Sequence, residues 1–175
     1  RLGGLPHLIP GADIDPALEK GTIDAAEWIG PYDDEKLGFH KVAKNYYFPG
    51  WWEGTLQVSL YVNQDHYNKL PKRYQAVLAQ AAAAASADMI AKYDAENPAA
   101  LRRLVAQGAQ LRAFPKPVMD ACYKAATEVY QEMSAKSDMF KRLYESTMAF
   151  RNNEIPWFRV AEGSYDQFMA GAVRR

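Results

Sequence analysis

The chain has 175 residues, enough for one sizeable hydrophobic core, and its 49% hydrophobic and 24% charged residues exclude the disordered class. Lysine plus arginine and aspartate plus glutamate balance at 21 each. No net charge therefore draws the chain to nucleic acid or an anionic membrane, and basic residues never cluster into the local patch that such a partner would need. No run of about 18 apolar residues is present to span a bilayer. The single cysteine, Cys122, cannot form an internal disulfide and falls in a helical pattern, where it reads as a small buried hydrophobe. The chain opens abruptly on RLGGLPHLIPG without an initiator methionine, which reads as a mature, processed or truncated chain.

The texture changes along the chain. Residues 1–63 are rich in glycine, proline and aromatics and form a sheet-rich segment; residues 64–175 are rich in alanine, lysine and glutamate and form a mainly helical one. LPHLIP is a short strand candidate. GADIDPALEKG predicts a compact helix with Asp13 or Asp15 as its cap, Pro16 in its first turn and Gly21 as its stop. TIDAAEWI is the next strand candidate, and DDEKLGF one helical turn with its acids at the positive end. VAKNYYF and TLQVSLYVN predict two more strands, on either side of the loop PGWWEG.

From Asn63 to Gly108 the apolar spacing predicts one long helix. The alanine run 81–85 favours it, and Asn97-Pro98 is a candidate kink or break. AQLRAF is a further short strand candidate. PKPVMDACYKAATEVYQEM, DMFKRLYESTMAFRNN and IPWFRVAEGSYDQFMAGAV predict three more helices. Short strands followed by long helices indicate an α/β fold in which helices cover a short mixed sheet with some parallel pairing.

The chemistry is sparse. No nucleophile and base stand together, no glycine-rich phosphate loop is present, and His7, His40 and His66 lack ligand spacing, so they read as surface or capping groups. Two aromatic-acid clusters remain. Glu27 and Trp28 lie at the end of an apolar strand candidate, and Trp51, Trp52 and Glu53 lie in the loop between two others. Ligands collect at strand ends in open α/β sheets. A tryptophan wall with one or two carboxylates suits a small site holding a hydroxyl donor or a hard cation such as Na⁺, Ca²⁺ or Mg²⁺. The plainer use, tryptophan as core and glutamate as solvated rim, stays open. It fits Glu27 less well, since an acid in an apolar strand end is costly unless paired or coordinated.

The block IPGADIDPALEKGTIDAAEWIGPYDDEKLGFHKVAKNYYFPGWWEGTLQ closely resembles the solute-binding proteins of tripartite ATP-independent periplasmic (TRAP) transporters, a DctP-like family. Within it the branch that binds 2-oxo acids and related monocarboxylates is the most similar. A typical member is longer, with two α/β lobes around a cleft, and this chain resembles the C-terminal portion alone. The resemblance implies a periplasmic substrate-binding component, without catalysis, that captures a small carboxylate such as pyruvate through a bridging metal ion and delivers it to the TRAP membrane subunits. The cation implied is Na⁺ or Ca²⁺, with Na⁺ favoured. Glu27 matches a carboxylate ligand of that metal, Trp28 a carbonyl ligand whose ring also walls the substrate, and Glu53 a third ligand or near neighbour. Trp52 and Tyr32 match substrate-wall positions. The family's carboxylate-binding arginine and a glutamine ligand precede the segment seen here. Some members dimerise through C-terminal helices, and residues 140–168 could serve that purpose here. Two other readings are an enzyme using Glu27 and Glu53 as acid and base, and a truncated helical module that binds no solute.

Overall fold

A computed structural model describes residues 1–52, 54 and 56–173. In chain order the elements are helix α1 (Gly11–Glu19), α2 (Pro31–Leu37), a single 3₁₀ turn (Phe39–Lys41) and strand β1 (Asn45–Phe48). There follow α3 (Gln64–Lys69), α4 (Lys72–Ala106), β2 (Gln110–Ala113), α5 (Lys116–Lys136), α6 (Asp138–Val160) and α7 (Glu162–Ala172). The chain forms two compact units, Gly3–Met119 and Arg1–Leu2 with the segment from Asp120 onward. The compositional change at residue 63 falls inside the larger of these.

Within the larger unit, β1 and β2 pair in parallel, Asn45 opposite Gln110 through Phe48 opposite Ala113. The ladder is extended at both ends, since the Gln110 amide donates to the Lys44 carbonyl (2.7 Å) and the Phe114 amide to the Phe48 carbonyl (2.9 Å). Parallel neighbours need a long crossover, and α3 and α4 supply it. The sheet is thus small, parallel and joined by helices. Of the strand candidates, VAKNYYF and AQLRAF form strands. LPHLIP, TIDAAEWI and residues 56–62 do not. A strand exists only where a neighbour takes up its backbone groups, and among the described residues β1 and β2 find only each other. The start of TIDAAEWI instead folds back on α1, with the Thr22 and Ile23 amides donating to the Ala17 carbonyl.

The helices also depart from the sequence expectation at their ends. α1 begins at Gly11 behind Pro10 with no side-chain cap, so neither Asp13 nor Asp15 caps it, and Pro16 lies inside it. The predicted stop holds, for Gly21 takes a φ of 67°. The single long helix from Asn63 is two, because Leu70 is extended before Pro71. The Asn63 side chain caps the first by accepting from the Asp65 and His66 amides. Pro98 does not break α4, which runs unbroken for 35 residues. Likewise α6 passes through Pro156 and ends only at Ala161, ahead of α7.

Packing of α2 on α4 organises the larger unit. Gly30-Pro31 starts α2, and Gly38 ends it in the left-handed region (φ 76°), where its amide donates to the Asp34 and Glu35 carbonyls. Between the ends, each polar residue of α2 has a use. Arg103 of α4 grips Glu35 with two parallel bonds of 2.8 and 2.7 Å, the forked geometry that makes Arg–carboxylate pairs strong. The Tyr93 hydroxyl donates to Asp33 (2.5 Å), and the Asn97 side chain accepts from the Tyr32 amide (3.0 Å). In the same unit Ile14, Ala100, Leu104 and Ala109 are buried.

In the smaller unit Ser137 caps α6 by accepting from the Phe140 amide. Tyr130 of α5 packs with Phe140 and Tyr144 of α6, the Tyr130–Tyr144 ring centres 5.3 Å apart. Cys122 is buried there, as a small hydrophobe would be. Arg1 lies against Glu132 and Glu128 of α5 at 2.5 and 3.5 Å. Among the described residues no helix is long and apolar enough to cross a membrane.

The fork from Arg103 holds the Glu35 carboxyl below its ordinary range. A depressed acid contributes stability that is complete above its unfolded value of about 4.3 and is lost as pH falls through the folded value. Urea unfolding of wild type and Glu35→Gln should therefore differ at pH 6, with wild type the more stable, and converge as pH falls below about 4. A gap that did not shrink as the pH falls would remove the ion pair as its cause.

Candidate functional site

The segment after α1 has no ladder to hold it, so its position is set by side chains. Asp34, one turn into α2, is 8% exposed and turns its carboxylate back toward the helix start. It accepts from the Ile29 amide (3.4 Å), the Gly30 amide (3.2 Å) and the Tyr46 hydroxyl of β1 (2.5 Å). Burial raises the Asp34 carboxyl above the usual range, against the lowering effect of these donors. Burial and the neighbouring carboxylate push the Tyr46 phenol well above an ordinary tyrosine. One acid therefore ties α2, the strand and the backbone directly after Trp28 to a single point.

Trp28 is half-buried, and its ring is held on two sides. Phe39 meets it edge-on with ring centres 6.4 Å apart. On the other side lies the first residue of α1, where a β-carbon on Gly11 would come within 2.5 Å of the indole. Glu27 is exposed beside it. A second aromatic group forms at the end of the sheet. Trp51 and Trp52 pack edge-on (5.2 Å), Trp52 meets Phe114 (6.1 Å), and Phe114 stacks on Tyr47 (5.0 Å).

Both groups border one open groove of about 1200 Å³, lined by Glu27, Trp28, Asp34, Tyr46, Trp52 and Phe114 among others. The structure thus brings Glu27, Trp28 and Trp52 together. Tyr32 does not line this groove. Its ring lies edge-on to Tyr93 of α4, with the Lys36 ammonium 3.4 Å from its centre. Glu53 lies outside the described residues.

His40, expected as a surface or capping group, is buried, 7% exposed. Its Nε2 pairs with the Gln107 side chain at 2.8 Å, which joins the 3₁₀ turn to the end of α4. Asp34, Tyr46 and Asn97 were not singled out from the sequence as groups that fix the site. Asp34 had a readable signal: an acid just inside a helix that opens Gly-Pro can reach back to the amide at its cap, as in a capping box. Tyr46 and Asn97 carried none, for their partners are distant in sequence.

As donors for a metal, the groove residues suit a hard cation. Glu27 offers a carboxylate, and the loop around it offers backbone carbonyls, the oxygen chemistry that Na⁺ and Ca²⁺ accept. Among the described residues no three His, Cys, Asp or Glu side chains gather into a group able to hold a metal. Glu27 and carbonyl oxygens would therefore supply part of a coordination shell, with the remainder from a bound solute, water or other donors.

The family model for bacterial extracellular solute-binding proteins, family 7, matches residues 1–137. This chain belongs to that family. It is 43% identical over 172 residues to a monocarboxylate 2-oxoacid-binding periplasmic protein of Nostoc sp., covering 98% of this chain and 47% of that protein. Among solved structures, a TRAP transporter solute-binding protein of Bordetella bronchiseptica matches with a TM-score of 0.93 and 53% identity. The match covers 97% of this chain and 51% of that one, a dimer with calcium and picolinate in one active site and the other site apo. A relative from Pseudoalteromonas atlantica, with sodium and pyruvate bound, matches at 0.89 and 35% identity over 94% of this chain and 50% of its own. One from Colwellia psychrerythraea, with calcium and pyruvate bound, matches at 0.83 and 33% identity over 94% and 51%. The family 7 chain described here spans about half the length of these relatives. Its fold is part of the TRAP periplasmic binding-protein fold, mostly helical around the small parallel sheet.

The approach of Trp28 to Gly11 is directly testable. Gly11→Ala cannot be absorbed by a flexible chain end, since the atom it meets is on a rigid indole. A cost of about 1–3 kcal/mol in unfolding free energy is expected, as for other overpacked sites, together with a changed Trp28 emission. Unaltered stability and emission would show that the indole is not held there.

Proposed function

We propose that this chain carries part of the ligand site of a TRAP solute-binding protein that captures a small carboxylate, a 2-oxo acid such as pyruvate, together with a bridging Na⁺ or Ca²⁺. The observation that carries the reading is the shared groove of Glu27, Trp28 and Trp52, in a chain whose solved relatives hold pyruvate with sodium or calcium. Glu27 and the Trp28 carbonyl are the proposed metal ligands, with Glu53 a third. The Trp28 and Trp52 rings wall the solute; Tyr32, also expected there, has its ring against Tyr93 and Lys36, outside this groove.

Glu27, the Trp28 carbonyl and Glu53 would hold the cation, which would supply positive charge to offset the repulsion between the solute carboxylate and the protein acids. The residues of this chain orient the solute and exclude water from one side, and no bond is made or broken. Closure of two lobes around the ligand is the family mechanism that this implies. Delivery is to TRAP membrane subunits from the periplasm. The proposed ligand residues fall within 1–63, and Leu104, Leu111 and Phe114 complete the groove lining from beyond it. Dimerisation through α6 and α7 is part of the proposal, with Trp157 and Phe168 exposed at 61% and 70% and a relative that forms a dimer. Catalysis by a Glu27 and Glu53 pair is the competing reading. It is disfavoured because the relatives are solute-binding proteins.

Titration calorimetry with pyruvate, with and without Na⁺ or Ca²⁺, tests the proposal. Cation-dependent binding without turnover is expected, and Glu27→Ala should lower affinity at least tenfold while the far-UV spectrum is retained. Product formation would establish the enzyme reading. Unchanged affinity in Glu27→Ala would remove this residue from the site, and no binding at all would leave a helical module without solute.

A further inference from the structure

We propose that Asp34 and Tyr46 are positioning residues for the solute site, fixing the backbone that carries Glu27 and Trp28 and so setting ligand affinity without touching the ligand. This rests on the functional reading above for its affinity consequence, and on geometry alone for its structural part. Residues 24–30 belong to no helix or strand. A proposed ligand pair on irregular chain can hold a cation in place only if something fixes that chain. The Asp34 carboxylate takes the amides of Ile29 and Gly30, the two residues directly after the pair, and its second oxygen takes the Tyr46 hydroxyl.

The two ends of this connection are rigid. Asp34 sits in α2, which Arg103, Tyr93 and Asn97 hold against α4. Tyr46 sits in β1, whose register on β2 is fixed over four residue pairs. Indirect partners of this kind that orient metal ligands typically change affinity by about 10–100-fold when removed. The carboxylate is nearly buried, so the connection is not one that bulk water replaces at no cost.

The expected behaviour separates positioning from plain stability. Tyr46→Phe deletes one donor and keeps the ring. Asp34→Ala deletes the acceptor. Asp34→Asn keeps the shape and can still accept from the backbone amides while donating to the Tyr46 oxygen. In Asp34→Ala and Tyr46→Phe, amide hydrogen exchange at residues 27–30 should speed up at least tenfold while exchange in α4 and β2 stays as in wild type. Pyruvate affinity in the presence of Ca²⁺ should fall roughly 10–100-fold for Asp34→Ala, less for Tyr46→Phe, and recover to within about threefold of wild type in Asp34→Asn. If Asp34→Ala does not fold, Tyr46→Phe and Asp34→Asn carry the comparison.

Unchanged exchange at 27–30 in the folded variants would overturn the proposal, as would faster exchange with unchanged pyruvate affinity. If wild type itself binds no pyruvate, the functional reading fails instead, and the exchange measurement still decides whether Asp34 and Tyr46 fix this backbone.

Discussion

Three donors converge on the Asp34 carboxylate from two directions: the backbone amides of Ile29 and Gly30, and the Tyr46 hydroxyl. Remove that acceptor and the consequences spread in a definite order. The two amides lose their partner, although the exposure of Ile29 lets water take up part of the loss. The segment carrying Glu27 and Trp28 then loses its side-chain tie to α2, and α2 loses its hydrogen bond to Tyr46 of the sheet. Burial disfavours the charge on Asp34, and the donors offset part of that cost. An acid that must be satisfied by three particular partners specifies one arrangement of helix, strand and loop, which an apolar residue in its place would not.

The rest of the larger unit supports this point rather than competing with it. α4 supplies a fork to Glu35, a hydroxyl to Asp33 and an acceptor to the Tyr32 amide, so successive residues of one short helix are held by one long one. The parallel ladder sets Tyr46 at a fixed height beside Gln110, Leu111 and the residues after them. The same ladder brings Phe114 against Trp52, closing the aromatic side of the groove. Few side chains are fully buried, Leu104 among them. The groove therefore depends on directional polar contacts more than on a large core.

The family, the helical character and the pairing of Glu27 with Trp28 were legible in the sequence because they are local: a contiguous motif, an apolar period, a glycine stop at Gly21. Strands were less so. TIDAAEWI and VAKNYYF have similar composition, yet only the second acquires a ladder, since that depends on a partner more than 60 residues away. The prolines misled in the other direction. Asn97-Pro98 was a candidate kink or break, and a separate helix was expected from Ile155-Pro156, yet both helices continue through their prolines, for each loses one hydrogen bond inside an element that many others hold. Tyr32 was placed in the substrate wall by its position in the motif, whereas its side chain packs on Tyr93 and Lys36. His40 was read as a surface or capping group, and its burial was not legible because its partner Gln107 is brought near only by the fold.

Where a bound cation sits is the most direct measure of the functional reading. A crystal structure of the chain grown with calcium and pyruvate would locate the ion by its anomalous signal. The expected result is a calcium ion about 2.3–2.6 Å from a Glu27 carboxylate oxygen and from the Trp28 carbonyl, with pyruvate between it and the Trp52 side of the groove. An ion bound elsewhere on the chain, with Glu27 turned to solvent and the groove free of pyruvate, would contradict it.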